Sequence, residues 1–248
     1  MRTLVVVPTY NERENVRQLL TAVRGVVPAA DVLVVDDNSP DGTASIAESA
    51  AAELGQIKLL RRPGKQGLGS AYRHGFTIGL DESYDVIVSM DVDFSHDPAV
   101  LPEMLALLAA GADAVIGSRY VPGGGTVDWP LHRRVLSRWG NRYTSLVLGL
   151  QVRDCTSGFR AYRAEALRAI EPATTTAEGY AFLTELVRRL VGGGFRVMET
   201  PIVFADRRYG RSKMSGRIIV ESMLLVTRWG LMDLVSGRSR RRRRRRSR

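Results

Sequence analysis

Val86-Ile87-Val88-Ser89-Met90-Asp91-Val92-Asp93 is an apolar run that stops on two carboxylates spaced i, i+2. Side chains alternate faces along a strand, so residues two apart point the same way. The spacing therefore predicts Asp91 and Asp93 projecting together from the carboxyl end of a buried strand, the edge at which open α/β sheets bind ligands. Two carboxylates brought together repel unless a cation sits between them, and hard divalent ions favour oxygen ligands. The pair reads as a Mg2+ or Mn2+ site bridging to a substrate phosphate. It also fits a plain polar strand-to-helix turn, with Asp97 and Pro98 starting the next helix.

Upstream of this stretch, short apolar runs alternate with helical patterns. Residues 4–7, 32–35 and 57–60 read as strands, followed by helices over 12–26, 43–54 and 68–80. Residues 86–90 and 112–117 continue the series, with a helix over 98–110 between them. Five strands separated by helices of this length predict right-handed βαβ units and an α/β fold with a mostly parallel sheet. The strands are rich in Val and Ile without alternation, as expected when helices cover both faces.

After residue 121 the pattern changes. Gly123-Gly124-Gly125 reads as a mobile loop, and residues 131–150 as a long basic helix. A helix over 179–191 closes at Gly192-Gly193-Gly194, a strand covers 195–200, and residues 201–204 extend or abut it. Residues 217–235 are strongly apolar but broken by Arg217, Glu221, Arg228 and Asp233. That composition predicts an amphipathic helix lying in a membrane interface, with Trp229 at headgroup depth. A helix packed on the domain, or between two copies, is the competing expectation.

The net charge of +10 is concentrated at one end. Arg238, Arg240 to Arg246 and Arg248 are nine of the 36 basic residues, which leaves 27 basic against 26 acidic in the body. The tail cannot bury anything and is expected to be disordered. A near-neutral body without a basic groove argues against specific nucleic-acid binding. Anionic lipid headgroups suit such a tail, at ~1 kcal/mol for each arginine near the surface. Cys155 is the single cysteine, which excludes an intramolecular disulfide and suggests no oxidising compartment. No secretory leader pattern precedes the first strand, and no run reaches ~18 uninterrupted apolar residues. The expected location is peripheral, on the cytoplasmic face of a membrane.

The first strand ends in Pro8-Thr9-Tyr10-Asn11-Glu12 and the second in Asp36-Asp37-Asn38-Ser39-Pro40-Asp41-Gly42-Thr43. Both belong to the sheet edge that carries Asp91 and Asp93. Tyr10 offers a ring to stack on a base, and Glu12 and Asp37 offer carboxylates to base or ribose donors. Neither a dinucleotide-binding glycine fingerprint nor a P-loop is present. Phosphates must then be neutralised by a metal and by arginines. The missing glycine-rich start also counts against a nucleotidyltransferase.

VVVPTYNERENV, VVDDNSPDGT, GKQGLGSAYRHG, MDVDFSHDP, GSRYVPGG, DCTSGFRAYR, EGYAFLTE and ETPIVFADRRYGRSKM occur in this order along the chain. Together they make the chain resemble a family 2 glycosyltransferase of the GT-A fold, and within it the dolichol-phosphate and polyprenol-phosphate mannose synthases. The resemblance runs from about residue 4 to about residue 229. With the composition read above, it divides the chain into an expected catalytic domain over residues 1–212, an amphipathic interfacial region over 213–235, and the arginine tail over 236–248.

It also implies roles. Pro8, Tyr10, Glu12, Val35 and Asp37 would hold the nucleoside of GDP-mannose. Asp91 and Asp93 would bind the cation, with Val92 contributing through its backbone and Ser95 standing where relatives carry Gln or Ser. Arg119, Arg133, Arg211 and Lys213 would face phosphates. The acceptor would be a polyprenyl (dolichyl-type) monophosphate, already ionised near neutral pH and so needing no general base. Its oxygen would attack the anomeric carbon and displace GDP, inverting the centre, while the metal and an arginine stabilise the leaving diphosphate. A glucosyl or other hexosyl donor is the alternative within the same resemblance. An integral membrane partner is a further expected partner.

Other residues invite plainer readings. Cys155 has no histidine near it in sequence and reads as a buried structural thiol. His74, His96 and His132 lack metal-ligand spacing. Asp154 is a candidate for positioning substrate. Glu185 could orient an active-site arginine, or serve packing.

Overall fold

The computed structural model describes residues 1–205 and 216–235. Arg211, Lys213 and the arginine tail over 236–248 lie outside the described residues. Nine strands are present among them: β1 (Thr3–Thr9), β2 (Asp31–Asp36), β3 (Ile57–Arg61), β4 (Val86–Ser89), β5 (Ala114–Ser118), β6 (Gly125–Thr126), β7 (Arg160–Arg163), β8 (Val197–Pro201) and β9 (Val203–Phe204). The helices are α1 (Val16–Val26), α2 (Thr43–Leu54), α3 (Leu68–Asp81), α4 (Leu101–Ala109), α5 (Leu131–Val147), α6 (Ala164–Ala169), α7 (Gly179–Gly193) and α8 (Gly216–Val235).

Seven strands form one sheet in the order β3-β2-β1-β4-β7-β5-β8. β1 pairs in parallel with both β2 and β4. The chain therefore builds outward from β1 to β3, then returns to start the other half at β4. The carboxyl ends of β1 and β4 flank that reversal, where a crevice opens above the sheet.

Strand alternation distributes β1 between two cores. Val5 and Val7 join Val32, Val34, Val86 and Val88 beneath α1, α2 and α4. Leu4 and Val6 join Leu33, Val35 and Ile87 beneath α3, α6 and α7. Each strand serves both faces, which is why its sequence is continuously apolar. The helix α3 approaches the sheet closely at Gly75, where an added Cβ would lie 2.3 Å from Val6 Cγ1.

β7 was not anticipated from sequence. It runs antiparallel between β4 and β5. Only four residues long and charged at both ends, it carries no strand-like pattern. Arg160, wholly buried, is accommodated because it donates to three backbone carbonyls: Ser157 O and Cys155 O at 2.7 Å and Leu183 O at 2.6 Å.

The glycine run read as a mobile loop is instead built into the fold. Gly125 starts β6, which pairs with β9, so residues 203–204 do not extend β8 but form a separate two-stranded sheet with residues 125–126. Gly124 lies so close to the backbone of Ser118 that a Cβ would meet its carbonyl oxygen at 2.5 Å.

The C-terminal helix corrects another expectation. Trp229 is not turned outward to a headgroup layer. It is buried, with the Arg188 guanidinium 5.6 Å from its ring, and Arg188 in turn holds Asp233 through bonds of 2.6 and 3.0 Å. Val226 and Trp229 pack with Leu148, Leu150 and Val187, while Thr227 meets the Tyr143 hydroxyl at 2.6 Å. The opposite face of α8 leaves Val220, Leu224, Leu231, Leu234 and Val235 exposed.

Candidate active site

The crevice has a volume of about 540 Å³ and is walled by the ends of β1 and β4, the start of α3, the turn before α5, and α7. Pro8, Tyr10, Glu12 and Asp37 line one end, and Asp91, Val92, Asp93, Ser95, Arg119 and Arg133 line the middle. These ten sequence-predicted residues come together. Val35 does not join them as a side chain: it is fully buried in the core below, so any nucleoside contact there must come through its backbone.

The nucleoside end is organised by turn hydrogen bonds. Thr9 Oγ1 donates to Asp36 Oδ1 at 2.8 Å, and Asp36 also accepts from the Ser39 amide and hydroxyl at 2.9 and 2.6 Å. The Glu12 amide donates to Thr43 Oγ1 at 2.9 Å, and its carboxylate accepts from Asn15 Nδ2 at 2.9 Å. Asp37 faces the crevice but forms a buried ion pair with Arg62 at 2.7 Å and accepts from the Gln66 amide at 3.2 Å. Lys65 Nζ sits 4.4 Å from the Tyr10 ring centroid, a cation already on one face of the ring offered to a base.

The carboxylate pair reaches the crevice differently from the way the sequence spacing suggests. β4 ends at Ser89, so strand alternation does not carry Asp91 and Asp93. They lie on the turn after it, where Phe94 adopts φ of 57°. Asp91 Oδ1 accepts from the Tyr72 hydroxyl at 3.0 Å. Burial, together with the adjacent Asp91 charge, raises the Tyr72 phenol well above its ordinary value, so it stays a donor. Asp93 Oδ1 accepts from the amide of Ser95 at 3.1 Å and from its hydroxyl. Two carboxylates and a hydroxyl on one turn form a hard oxygen donor set, which fits a divalent ion whose remaining ligands come from a substrate. Among the described residues no cluster of three or more His, Cys, Asp or Glu could hold a metal by itself.

Arg119, at the end of β5, is held by Asp154. Nε and Nη2 donate to the two carboxylate oxygens at 2.7 Å each, the Arg119 amide donates at 3.0 Å, and Nη2 also reaches Thr156 Oγ1 at 2.7 Å. Burial alone would push the Asp154 carboxyl up, but the Arg119 charge and hydrogen bonds outweigh it and hold the group below the ordinary carboxylate value. Asp154 thus positions an arginine, and it is fully buried and does not line the crevice. Around Arg119 stand Tyr120, Trp129 and Phe204, with ring centroids 5.2, 5.7 and 5.3 Å from its Cζ. Arg133, in the first turn of α5, stacks on Trp129 at 3.9 Å.

Several lining residues escaped the sequence reading. His96 is buried with Nε2 3.6 Å from Asp91 Oδ2. Its proximity follows from the turn, not from any histidine spacing. Glu178 pairs with Arg73 and lies beside Gly67 and Gly69, where added Cβ atoms would sit 2.9 and 2.8 Å from its Oε2. Gly158 leaves similar room beside Asp91, at 3.0 Å. Trp129, between β6 and α5, stands in no motif that marks it as a site residue. Glu185, by contrast, pairs with Arg189 at 2.7 Å and braces the Ala177 amide at 3.3 Å, a packing role.

Beyond Arg133 the crevice becomes apolar, passing Leu136 and Trp139 on α5 and Met223 and Val226 on α8. One end is therefore charged and the other suits hydrocarbon.

Known proteins resemble this chain in sequence and in fold. The family model for glycosyl transferase family 2 matches residues 4–171. An undecaprenyl-phosphate mannosyltransferase of Micrococcus luteus is 48% identical over 93% of this chain and 95% of its own. A polyprenol monophosphomannose synthase of Mycolicibacterium smegmatis is 47% identical over 93% of this chain and 87% of its own. Among solved structures, a mannosyltransferase from Pyrobaculum calidifontis in complex with GDP-Man and Mn2+ superposes with a TM-score of 0.61 at 20% identity, over 91% of this chain and 62% of that one. Glucosyl-3-phosphoglycerate synthase of Mycobacterium tuberculosis in complex with Mn2+ and UDP-glucose gives 0.64 at 18%, over 91% and 79%. These last two likenesses bear on the fold, which is GT-A. With its motifs, its sheet and its crevice accounted for, the chain belongs to glycosyl transferase family 2 and is a glycosyltransferase.

Proposed function

We propose that the enzyme transfers mannose from GDP-mannose to a polyprenyl monophosphate, inverting the anomeric centre and giving a lipid-linked mannosyl phosphate. One observation carries this reading: the crevice is charged at the sheet edge and becomes apolar between α5 and α8, a shape for joining a nucleotide sugar to a prenyl chain. The names of the two relatives that are 47–48% identical support it.

On this reading Pro8, Tyr10, Glu12 and Asp37 hold the nucleoside, and Asp91, Asp93 and Ser95 would hold a divalent ion. Bound there, Mg2+ or Mn2+ neutralises the charge that develops on the leaving GDP. The solved relatives that contain Mn2+ support a metal of this kind. Arg119, fixed by Asp154, and Arg133 face phosphate oxygens; Arg211 and Lys213 are proposed to add to them. The acceptor phosphate is its own nucleophile, so no side chain is required to take a proton. The chain's work is to hold two anions together that otherwise repel.

Among the described residues no helix is long and apolar enough to cross a membrane. We propose that the lipid is met at a surface. Leu131, Val135 and Leu146 on α5 and Leu224, Leu231 and Val235 on α8 are exposed beside the apolar mouth, with Arg134, Arg138, Arg142 and Arg228 also exposed. That mixture suits an anionic bilayer interface. We assign residues 1–212 to catalysis, 213–235 to the interfacial region and 236–248 to a basic tether, on the cytoplasmic face.

The test is a donor panel with polyprenyl phosphate, metal and detergent. Mannose transfer from GDP-mannose into a chloroform-soluble product is expected. Transfer from UDP-glucose instead would replace the donor assignment, and no transfer from any nucleotide sugar would overturn the reading.

A further inference from the structure

Trp129 occupies the turn that leads into α5, is 7% exposed, and forms part of the crevice wall. Its indole N–H is buried and has no hydrogen-bond acceptor among the described residues. Buried N–H groups are rarely left unpaired, because the lost hydration is not recovered. An indole nitrogen can only donate, so the missing partner is an acceptor.

Its surroundings define which acceptor. Arg133 Cζ lies 3.9 Å from the centroid of the indole and Arg119 Cζ 5.7 Å. Phe204 meets the ring edge-on at 5.3 Å and fixes its plane. Two guanidinium groups packed on one ring repel each other less when an anion lies between them. The crevice carboxylates Asp91 and Asp93 already accept from Tyr72 and Ser95. An incoming phosphate therefore suits the N–H best.

We propose that the Trp129 indole N–H donates to a phosphate oxygen of a bound substrate, while the same ring spaces Arg119 and Arg133 about that phosphate. This rests on the reading above that the crevice takes phosphate-bearing substrates. The oxygen belongs either to the nucleotide diphosphate or to the lipid monophosphate, and the two are separable.

The experiment uses the full chain in detergent, labelled with 15N at its three tryptophans. The indole resonance missing from Trp129→Phe identifies the group. Farnesyl phosphate, and separately GDP with Mg2+, are titrated in. A downfield shift of that resonance with farnesyl phosphate places the lipid phosphate there; a shift with GDP and Mg2+ places the diphosphate. In kinetics, Trp129→Phe keeps an aromatic ring for the arginines and loses the donor, so KM for that substrate should rise on the order of tenfold while kcat holds. Trp129→Leu loses both functions and should lower kcat as well. An unmoved resonance with both ligands, together with wild-type KM values in Trp129→Phe, overturns the proposal. The titrations do not depend on turnover, so a failure of mannosyl transfer in the native enzyme would remain a separate result.

Discussion

Arg119 and Asp154 form a two-bond ion pair, 2.7 Å at each contact, with the two residues only 6% and 0% exposed. The pair ties the end of β5 to the loop that precedes β7, and it holds a guanidinium at the crevice wall.

Breaking that pair should damage both stability and turnover. Asp154→Asn leaves a buried guanidinium without its counter-charge, which typically costs about 3–5 kcal/mol. Urea melts should record that loss, and kcat/KM should fall by at least an order of magnitude. Asp154 also carries a pH dependence. Its carboxyl sits below its ordinary value of 3.8 in the fold, so its stabilising contribution is complete above that ordinary value. The contribution is lost as the pH falls through the lower folded value. Stability of the native chain should drop in that acid window, and the drop should be shallower in Asp154→Asn.

Asp93→Ala should abolish turnover and leave the fold in place. Asp93 accepts from the amide and hydroxyl of Ser95 on its own turn, after β4 has ended, so the substitution is expected to perturb that turn and not the sheet beneath it. Circular dichroism should match the native protein while transfer is undetectable and titration calorimetry shows Mn2+ affinity lost. Native rates in this variant would refute the metal role.

The Cys155 thiol should be inert. Burial pushes it up to about 12, with Arg160 opposing only in part. Iodoacetamide at pH 8 should leave the folded protein unlabelled and modify it fully in denaturant, with intact mass as the readout. Rapid labelling under native conditions would contradict the burial.

Membrane attachment should depend on two separable features. Deleting residues 237–248 should weaken binding to anionic vesicles at physiological salt, and the effect should shrink as salt rises. Leu224→Gln with Leu231→Gln should weaken binding at every salt concentration, because the loss there is apolar contact. Unchanged vesicle binding in both variants would remove the interfacial assignment.

Much of the fold was readable from local pattern. The Val-rich runs of β1, β2 and β4 and the helices between them follow from continuous apolar strands and helical spacing, and their order alone implies a shared ligand edge. β7 escaped because Arg160 breaks the apolar pattern, and its charge is satisfied by carbonyls of Cys155, Ser157 and Leu183, one of them 23 residues away. Trp229 was misplaced for a related reason. A tryptophan beside arginines describes an interface helix and a cation–π contact equally well, and only the position of Arg188 separates them.

Asp91 and Asp93 mark the same division. Their residue types, beside an apolar run and ahead of Pro98, were enough to identify an oxygen-rich turn at a sheet edge. How they face the crevice was decided by the turn itself, after β4 has ended, through Tyr72 and Ser95. Likewise the sequence by itself determined the family, the mostly parallel sheet and ten of the residues that line the crevice, because these rest on periodicity and local motif. The tertiary structure alone decided that Asp154 holds Arg119, that Trp129 packs against two arginines, and that α8 buries one face. Those depend on residues far apart in the chain meeting where water is excluded, which no local pattern encodes.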